Sequence, residues 1–164
     1  MSDTEKLCAT CSSSKVTAEC GECHVPLCRK CARFLEEGSF SFFSKEGPEL
    51  KHTWYCVDCD ETILEPARAT LAETREKAED VLVFFTTQKR NPPLLGKAKS
   101  AVKVDACPDR DETILRLAYM AAEQGFNAII EVEVESAKVR NEGWQTSVWK
   151  GTGVPAQVNP DRIP

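Results

Sequence analysis

Apolar residues are unevenly spread along this chain. Val, Ile and Leu are sparse before Thr62 and become frequent after Val81. A segment of about sixty residues with so few apolar side chains buries too little surface to fold on a hydrophobic core alone. The first third of the chain is therefore expected to be stabilised by something else.

The last half of the chain begins with two segments that predict strands. Val81–Phe85 is an unbroken apolar run of strand length, which is consistent with burial on both faces. Asn91-Pro-Pro then interrupts regular structure. Residues 99–104 alternate weakly toward a second strand.

A helix and two further strands follow. Asp109 and Glu112 form a capping-box pattern, and apolar residues then recur at helical spacing as far as Gly125. Residues 127–135 alternate between apolar residues and glutamates, and residues 144–151 follow a turn signal. The order β-β-α-β-β predicts an α+β fold in which one helix packs against an antiparallel sheet.

A polar helix is predicted between the two halves. Residues 65–80 are rich in strong helix formers, and Pro66 suits the first helical position. Ala67, Leu71 and Ala78 form only a thin apolar stripe, so the helix is expected to be a spacer or to lie along a partner helix.

The predicted organisation is thus tripartite. Residues 1–61 would form the first domain, residues 62–80 the linking helix, and residues 81–164 the α+β domain.

Cysteines supply the missing stability of the first domain. Of nine cysteines, eight lie between Cys8 and Cys59. The first residues, MSDTEKLC, contain no apolar signal-peptide core, so we expect a reducing, cytoplasmic location in which thiols bind metal rather than form disulfides.

These eight cysteines form four pairs with two intervening residues each: Cys8/Cys11, Cys20/Cys23, Cys28/Cys31 and Cys56/Cys59. Such a turn directs two sulfurs at one tetrahedral ion, and four turns in succession are a strong signal for two zinc ions per chain.

The gaps between pairs, 8, 4 and 24 residues, indicate which pairs share an ion. The four-residue gap is best explained if the pairs on either side of it face different ions. One predicted site therefore takes Cys8, Cys11, Cys28 and Cys31, and the other takes Cys20, Cys23, Cys56 and Cys59. This interleaved arrangement is a cross-brace.

On these residues the segment 7–33, LCATCSSSKVTAECGECHVPLCRKCAR, resembles a B-box zinc finger. The departure comes at the end, where a B-box has a close histidine pair and this chain has Cys56 and Cys59. That interval is more similar to a FYVE-type finger, although the basic run and paired histidines of that family are missing. A RING finger fits less well, so residues 7–59 are described as a B-box-like or FYVE-like finger.

A second resemblance covers residues 81–160. The strand Val81–Thr87, the segment GFNAII at 125–130 and the closing GTGV at 151–154 resemble the YbjQ-like family of small bacterial domains, sometimes described as heavy-metal-binding. The resemblance implies a homo-oligomer, commonly a ring of five, and no established reaction.

Four protein ligands at each site leave no open position for water or substrate, so the predicted zinc ions are structural and the chain is not expected to be an enzyme. His24 and His52 are spare and are interpreted as surface or hairpin residues. The aromatic segment between Cys31 and Cys56 predicts a hairpin about Gly47-Pro48. Its apolar face is expected to pack on the zinc knuckles, with a partner-binding patch as the alternative.

Two features of the last half invite a chemical interpretation. Glu131, Glu133 and Glu135 share a strand face that suits hard cations, but such a face is more often solvated or paired with Lys or Arg across the sheet. Cys107 is interpreted as a buried or idle thiol, because no histidine follows His52 to activate it.

Charge constrains the partners. The net charge is −5 with neutral thiols, and it falls to about −9 once eight thiolates and two Zn²⁺ are counted. Such a field does not attract nucleic acid or an anionic membrane.

The function predicted from these features is that of a zinc-binding interaction or adaptor protein, in which an oligomerising domain presents a finger to a partner protein. The alternatives are a metal sensor or store and a ubiquitin-ligase-like adaptor.

Overall fold

A computed structural model describes residues 6–163 of the chain. It confirms the α+β class, with cysteine clusters in the first part and a sheet carrying a packed helix in the last part. The chain divides into two compact units between Leu71 and Ala72. Within the described residues, no helix is both long enough and apolar enough to span a bilayer.

The first unit contains four short strands: β1 (Val16–Glu19), β2 (Pro26–Cys28), β3 (Arg33–Phe34) and β4 (Trp54–Tyr55). β1 pairs with β2, and β3 pairs with β4, both antiparallel. Strands of two to four residues make few ladder hydrogen bonds, so this unit takes little stability from its sheets.

The core of the first unit is built partly from the cysteines themselves. It consists of Cys20, Leu27, Leu35, Phe40, Leu50, Tyr55, Cys56, Cys59 and Leu64. These residues recur at irregular intervals along the chain, from one to ten positions, which is why the segment lacks a clear hydrophobic period.

The predicted hairpin about Gly47-Pro48 is only partly correct. Phe40 is 1% exposed and packs in the core as expected, but residues 40–43 form a turn in which the Phe43 N–H donates to the Phe40 carbonyl. The turn stacks the two rings with their centroids 5.6 Å apart, whereas a strand would place them on opposite faces. The pairing strands are instead β3 and β4.

One continuous helical segment of 23 residues follows. It comprises α1 (Val57–Cys59), a π-helical turn (Asp60–Leu64) and α2 (Glu65–Glu79). The helix predicted over residues 65–80 is present as α2, but it continues a helical segment that begins at Val57 and does not start anew at Pro66. In the π turn the Glu65 N–H bonds to the Asp60 carbonyl, and this wider turn makes room for a proline that has no N–H to donate.

The thin apolar stripe of α2 has a packing role. Ala67 and Leu71 lie against the core of the first unit, together with Ile63 from the π turn. The start of α2 is therefore part of the first unit's packing as well as a connection.

The second unit contains a five-stranded sheet and one helix: β5 (Leu82–Phe85), β6 (Leu94–Lys97), β7 (Val102–Cys107), α3 (Arg110–Glu123), β8 (Ala128–Asn141) and β9 (Trp144–Val158). β8 lies between β5 and β9, while β6 and β7 both pair with the other side of β9. The sheet is mixed rather than wholly antiparallel, because β5 runs parallel to β8.

Other details of the sheet also differ from expectation. β5 is half-buried rather than buried on both faces, because among the described strands it pairs with β8 alone and lies at the sheet edge. β6 begins directly after Pro93, where the two prolines predicted an interruption, and its four residues are all exposed. β8 and β9 extend beyond their predicted ends.

The helix α3 forms as the capping box predicts. The Asp109 side chain accepts a hydrogen bond of 2.7 Å from the Glu112 N–H, and Gly125 ends the helix with a positive φ of 84°. Its buried face lies so close to β9 that a Cβ added at Gly151 would come within 2.9 Å of Thr113 Cγ2.

The β8–β9 hairpin turns at Glu142 and Gly143, whose φ angles of 46° and 89° are typical of a two-residue type I′ loop. From Ala137 through Ser147 every residue of this hairpin is exposed. This outer part, residues 137–148, is called the β8–β9 ribbon below.

Candidate metal centre

The first cysteine pair of each set lies on a tight turn closed by a left-handed residue. After Cys11, Ser12 has a φ of 59° and its N–H donates to the Cys8 carbonyl at 2.8 Å. After Cys23, His24 has a φ of 62° and its N–H donates to the Cys20 carbonyl at 2.9 Å. The two turns share one geometry, which directs the two sulfurs of each pair to the same side.

The second pair of each set lies on a helical turn. The Cys31 N–H donates to the Cys28 carbonyl at 3.1 Å. Cys56 caps the helix that starts at Val57, and its sulfur accepts a bond of 3.4 Å from the Cys59 N–H. Burial acts to raise the pKa of Cys28, but the Cys31 N–H and neighbouring sulfurs lower it. Burial raises the pKa of Cys56 in spite of the opposing effect of the Cys59 N–H.

The fold brings the eight cysteines together in two sets of four. They are Cys8, Cys11, Cys28 and Cys31, and Cys20, Cys23, Cys56 and Cys59, with the sulfurs of each set within 4.8 Å of one another. This is the interleaved grouping predicted from the gaps.

The sulfur positions fit zinc. The Cys11 and Cys28 sulfurs are 3.6 Å apart, as are those of Cys23 and Cys56. A tetrahedral ion with Zn–S bonds of about 2.3 Å separates its sulfurs by about 3.8 Å. The separation is far longer than a disulfide bond of about 2.05 Å, and these cysteines are free.

The electrostatics of the first set also favour a divalent cation. Backbone N–H groups of Cys28 and Cys11 lower the pKa of Cys8 to about 6. The pKa of Cys31 is raised to about 12, because the neighbouring sulfurs of Cys11 and Cys28 disfavour a second negative charge. A bound divalent cation would offset this effect and stabilise all four sulfurs as thiolates.

The pKa values of the second set follow the same pattern, with one thiol lowered and another raised. Burial acts to raise the pKa of Cys20, but backbone N–H groups of Cys23 and Cys56 lower it to about 6. Burial and the neighbouring sulfurs raise the pKa of Cys59 above that of a free thiol. Four soft sulfur donors in tetrahedral reach are the donor type that zinc prefers in structural sites.

The two histidines lie outside both sets. His24 Nδ1 is 3.2 Å from Glu19 Oε1, and His52 Nε2 is 3.2 Å from Glu22 Oε2. Both therefore contact surface carboxylates, as the interpretation of surface or hairpin residues predicts.

The surroundings of the candidate groups in the second unit do not indicate a metal site or a reactive thiol. Glu131, Glu133 and Glu135 are exposed, a bulge at Glu131 interrupts their alternation, and Glu135 lies 3.9 Å from the Lys150 ammonium across the sheet. Cys107 is 1% exposed, and its thiol donates to the Asp105 carbonyl. Among residues 6–163, the two cysteine sets are the only groups of His, Cys, Asp or Glu arranged to hold a metal ion.

Sequence reasoning missed an exposed aromatic pair on the first unit. Phe34 is 60% exposed and Trp54 is 37% exposed, with ring centroids 5.4 Å apart across β3 and β4. Trp54 was expected to pack on the zinc knuckles with the other aromatic residues, with a partner-binding patch as the alternative, and Phe34 was not singled out. The strands holding the pair are two residues long, too short for a sequence period to reveal which side chains face outward.

Fold and site together define an α+β protein with two candidate four-cysteine metal sites. No protein-family model, no curated protein and no solved structure matches the chain. The B-box-like, FYVE-like and YbjQ-like resemblances therefore stay predictions.

Proposed function

We propose that this chain is a zinc-binding adaptor, in which two structural zinc ions hold a finger that presents a surface to a partner protein. The observation that carries the proposal is the completeness of both cysteine sets, each with four sulfurs in mutual reach. A zinc ion with four protein ligands stabilises a fold, whereas a catalytic zinc keeps a position for water or substrate. No catalytic role is proposed.

The exposed aromatic pair supports a partner-binding role for the finger. Phe34 and Trp54 expose their apolar rings to solvent. Beside Phe34 lies a cleft of about 440 Å³, with Leu35 and Leu50 among the residues that line it. Aromatic side chains next to a cleft are typical anchors of protein interfaces.

Self-association of the second unit is the other part of the proposal. On the β8–β9 ribbon the residue pairs Val139/Thr146, Asn141/Trp144 and Ala137/Val148 share one face. Trp144 is 80% exposed on this face. The pairing of β5 with β8 stops at Val132 and that of β7 with β9 starts at Trp149, so among the described residues both ribbon edges lack a further strand.

Unpaired strand edges and an exposed apolar face make a single chain prone to aggregation. Pairing of the ribbon with further copies of the chain would cover both. The YbjQ-like resemblance points the same way, toward a ring of five. A ring would raise the affinity of weak individual fingers through avidity.

Native mass spectrometry of the full chain tests both parts. We expect two zinc ions per chain in an oligomer. Val139→Ser with Trp144→Ser is expected to lower the subunit count, whereas Lys138→Ser on the opposite ribbon face is not. No zinc or one zinc per chain would refute the cysteine assignment, and a wild-type monomer would refute the oligomer alone.

The adaptor role is tested by comparing proteins captured from the source cell by the wild type and by Phe34→Ser. A partner of the finger should be lost with Phe34→Ser and after chelation, but retained with Leu95→Ser, which removes an equally exposed apolar side chain from the second unit. Capture that is insensitive to Phe34 would place the binding surface elsewhere.

One observation favours metal sensing as a second candidate. Cys11 and Cys23 are exposed, so each set has one sulfur that solvent or another thiol can reach. The rate of zinc transfer to a competing chelator separates the two functions. Transfer within seconds favours a sensor, and transfer over hours favours a structural finger.

A further inference from the structure

The second unit contains an open cavity of about 630 Å³ that the proposed zinc adaptor does not use. It lies where the end of β5, the loop leading to β6 and the short 3-10 helix Pro160–Arg162 meet. Cavities of about 300 to 1,000 Å³ are the usual size of small-molecule sites.

The walls of this cavity are apolar and held in place. Phe84, Pro92, Pro93 and Ile163 contribute apolar surface. The Asn159 N–H donates to the Pro93 carbonyl at 3.0 Å, which ties the loop to the segment after β9. Because two consecutive prolines also restrict the loop backbone, the cavity is formed before any ligand arrives.

Cations converge on the same cavity. Lys89, Arg90 and Arg162 line it, and none of its described lining residues carries a carboxylate. Within residues 6–163 none of these three cations forms an ion pair. The chain as a whole is acidic, with 26 acidic and 21 basic residues, whereas the charged residues around this apolar cavity are three unpaired cations.

A carboxylate in an adjoining cavity orients the expected ligand. That smaller cavity, of about 350 Å³, shares five lining residues with the first, Phe84 and Arg90 among them, and is also lined by Glu131. Repulsion from Glu131 disfavours an anionic group on that side. A bound anion is therefore best placed toward Lys89 and Arg162, with its apolar part against Phe84.

We propose that this cavity binds a small organic anion, with an apolar ring or chain packed against Phe84 and a phosphate or carboxylate group held by Lys89 and Arg162. Arginine suits both groups because its guanidinium donates two parallel hydrogen bonds to either one. The site is independent of the zinc finger and goes beyond the adaptor function.

Isothermal titration calorimetry on the full zinc-loaded chain tests the proposal with four probes. They are 1-naphthyl phosphate, 1-naphthoate, 1-naphthylmethanol and inorganic phosphate. At least one naphthyl anion should bind saturably, and the neutral alcohol and inorganic phosphate should each bind about tenfold more weakly or worse, because each lacks one half of the ligand. The stronger of the two naphthyl anions identifies the acid group that the site prefers.

Variants locate the binding. Lys89→Gln and Arg162→Gln are each expected to weaken binding of the preferred anion by about tenfold, since each removes one charge-assisted contact. Lys138→Gln, an exposed cation outside the cavity, should leave the affinity unchanged. All three residues are exposed, so none of the substitutions threatens folding.

Three results would overturn the proposal. They are failure of both naphthyl anions to bind at millimolar concentration, equal binding of the neutral alcohol, and undiminished binding by the Lys89→Gln/Arg162→Gln double variant.

Discussion

The two units of this chain hold their folds in opposite ways. In the first unit, three of the nine residues in the core cluster are cysteines of the candidate metal sites, and the strands are two to four residues long. In the second unit, β8 and β9 are 14 and 15 residues long, and the buried residues include Leu117, Ile129 and Val132. A short segment with little apolar surface needs cross-links, whereas a segment with an amphipathic helix and long strands does not.

The comparison implies that each unit unfolds in response to a different perturbation. Removal of metal should remove the first unit's stability and leave the second intact, and a cavity in the second unit's core should do the reverse.

Metal removal is expected to have the largest effect. Structural zinc supplies about 10 to 16 kcal/mol in small zinc-dependent domains, so a strong chelator should unfold the first unit. Amide hydrogen exchange should show loss of protection in residues 8–59 and retained protection in residues 102–158. Cys107→Ala is the control, because it removes the ninth cysteine and should leave both zinc ions bound. Loss of protection in both regions together would mean that the units are not independent.

Leu117→Ala tests the separation from the other side. Leu117 is fully buried in α3, and truncating such a side chain costs about 2 to 5 kcal/mol. Chemical denaturation followed in the second unit should show this loss, while zinc content stays at the wild-type value. Leu95→Ala removes an exposed leucine and should change the stability by less than about 0.5 kcal/mol. A loss of zinc in Leu117→Ala would contradict the separation.

Gly153→Ala should have an intermediate effect on the second unit. A Cβ at this position would lie 2.7 Å from Cδ1 of the fully buried Ile129. Overpacking of this kind costs about 1 to 3 kcal/mol. Gly96→Ala is a matched control in the same sheet, because a Cβ there meets no atom within 4 Å. Thermal melts of the two variants should differ accordingly, and equal melting temperatures would refute the close packing at Gly153.

Asp109→Ala should have the smallest effect. The Asp109 side chain caps α3, and loss of a helix cap costs about 1 kcal/mol. Asp109→Asn keeps an acceptor oxygen and should recover most of the stability in a urea titration. An alanine variant as stable as the wild type would mean that the cap contributes nothing to the second unit.

The parts of the structure that were predictable from the sequence depend on short-range chemistry. The grouping of the cysteines follows from gaps along the chain, because a four-residue connection cannot bring Cys23 and Cys28 to one ion as easily as to two. The start and end of α3 follow from Asp109 and Gly125, whose capping roles act over one helical turn.

The parts that were missed depend on long-range pairing. The parallel pairing of β5 with β8 joins residues more than forty positions apart, for which the run at Leu82–Phe85 gives no directional signal. β6 pairs with β9 although its residues are exposed and follow two prolines. The outward position of Phe34 likewise depends on its partner Trp54, twenty residues away.

The two left-handed residues behind the cysteine turns also constrain how this sequence can vary. Ser12 and His24 matter for the turns through their backbone conformation, a φ near +60°. Glycine adopts this conformation without steric strain, asparagine adopts it at a small energetic cost, and a β-branched side chain adopts it at a large cost. A saturation library selected for zinc retention should therefore accept glycine at both positions and reject valine and isoleucine. Positions whose side chains are in neither cysteine set would then be as restricted in such a library as parts of the first unit's core.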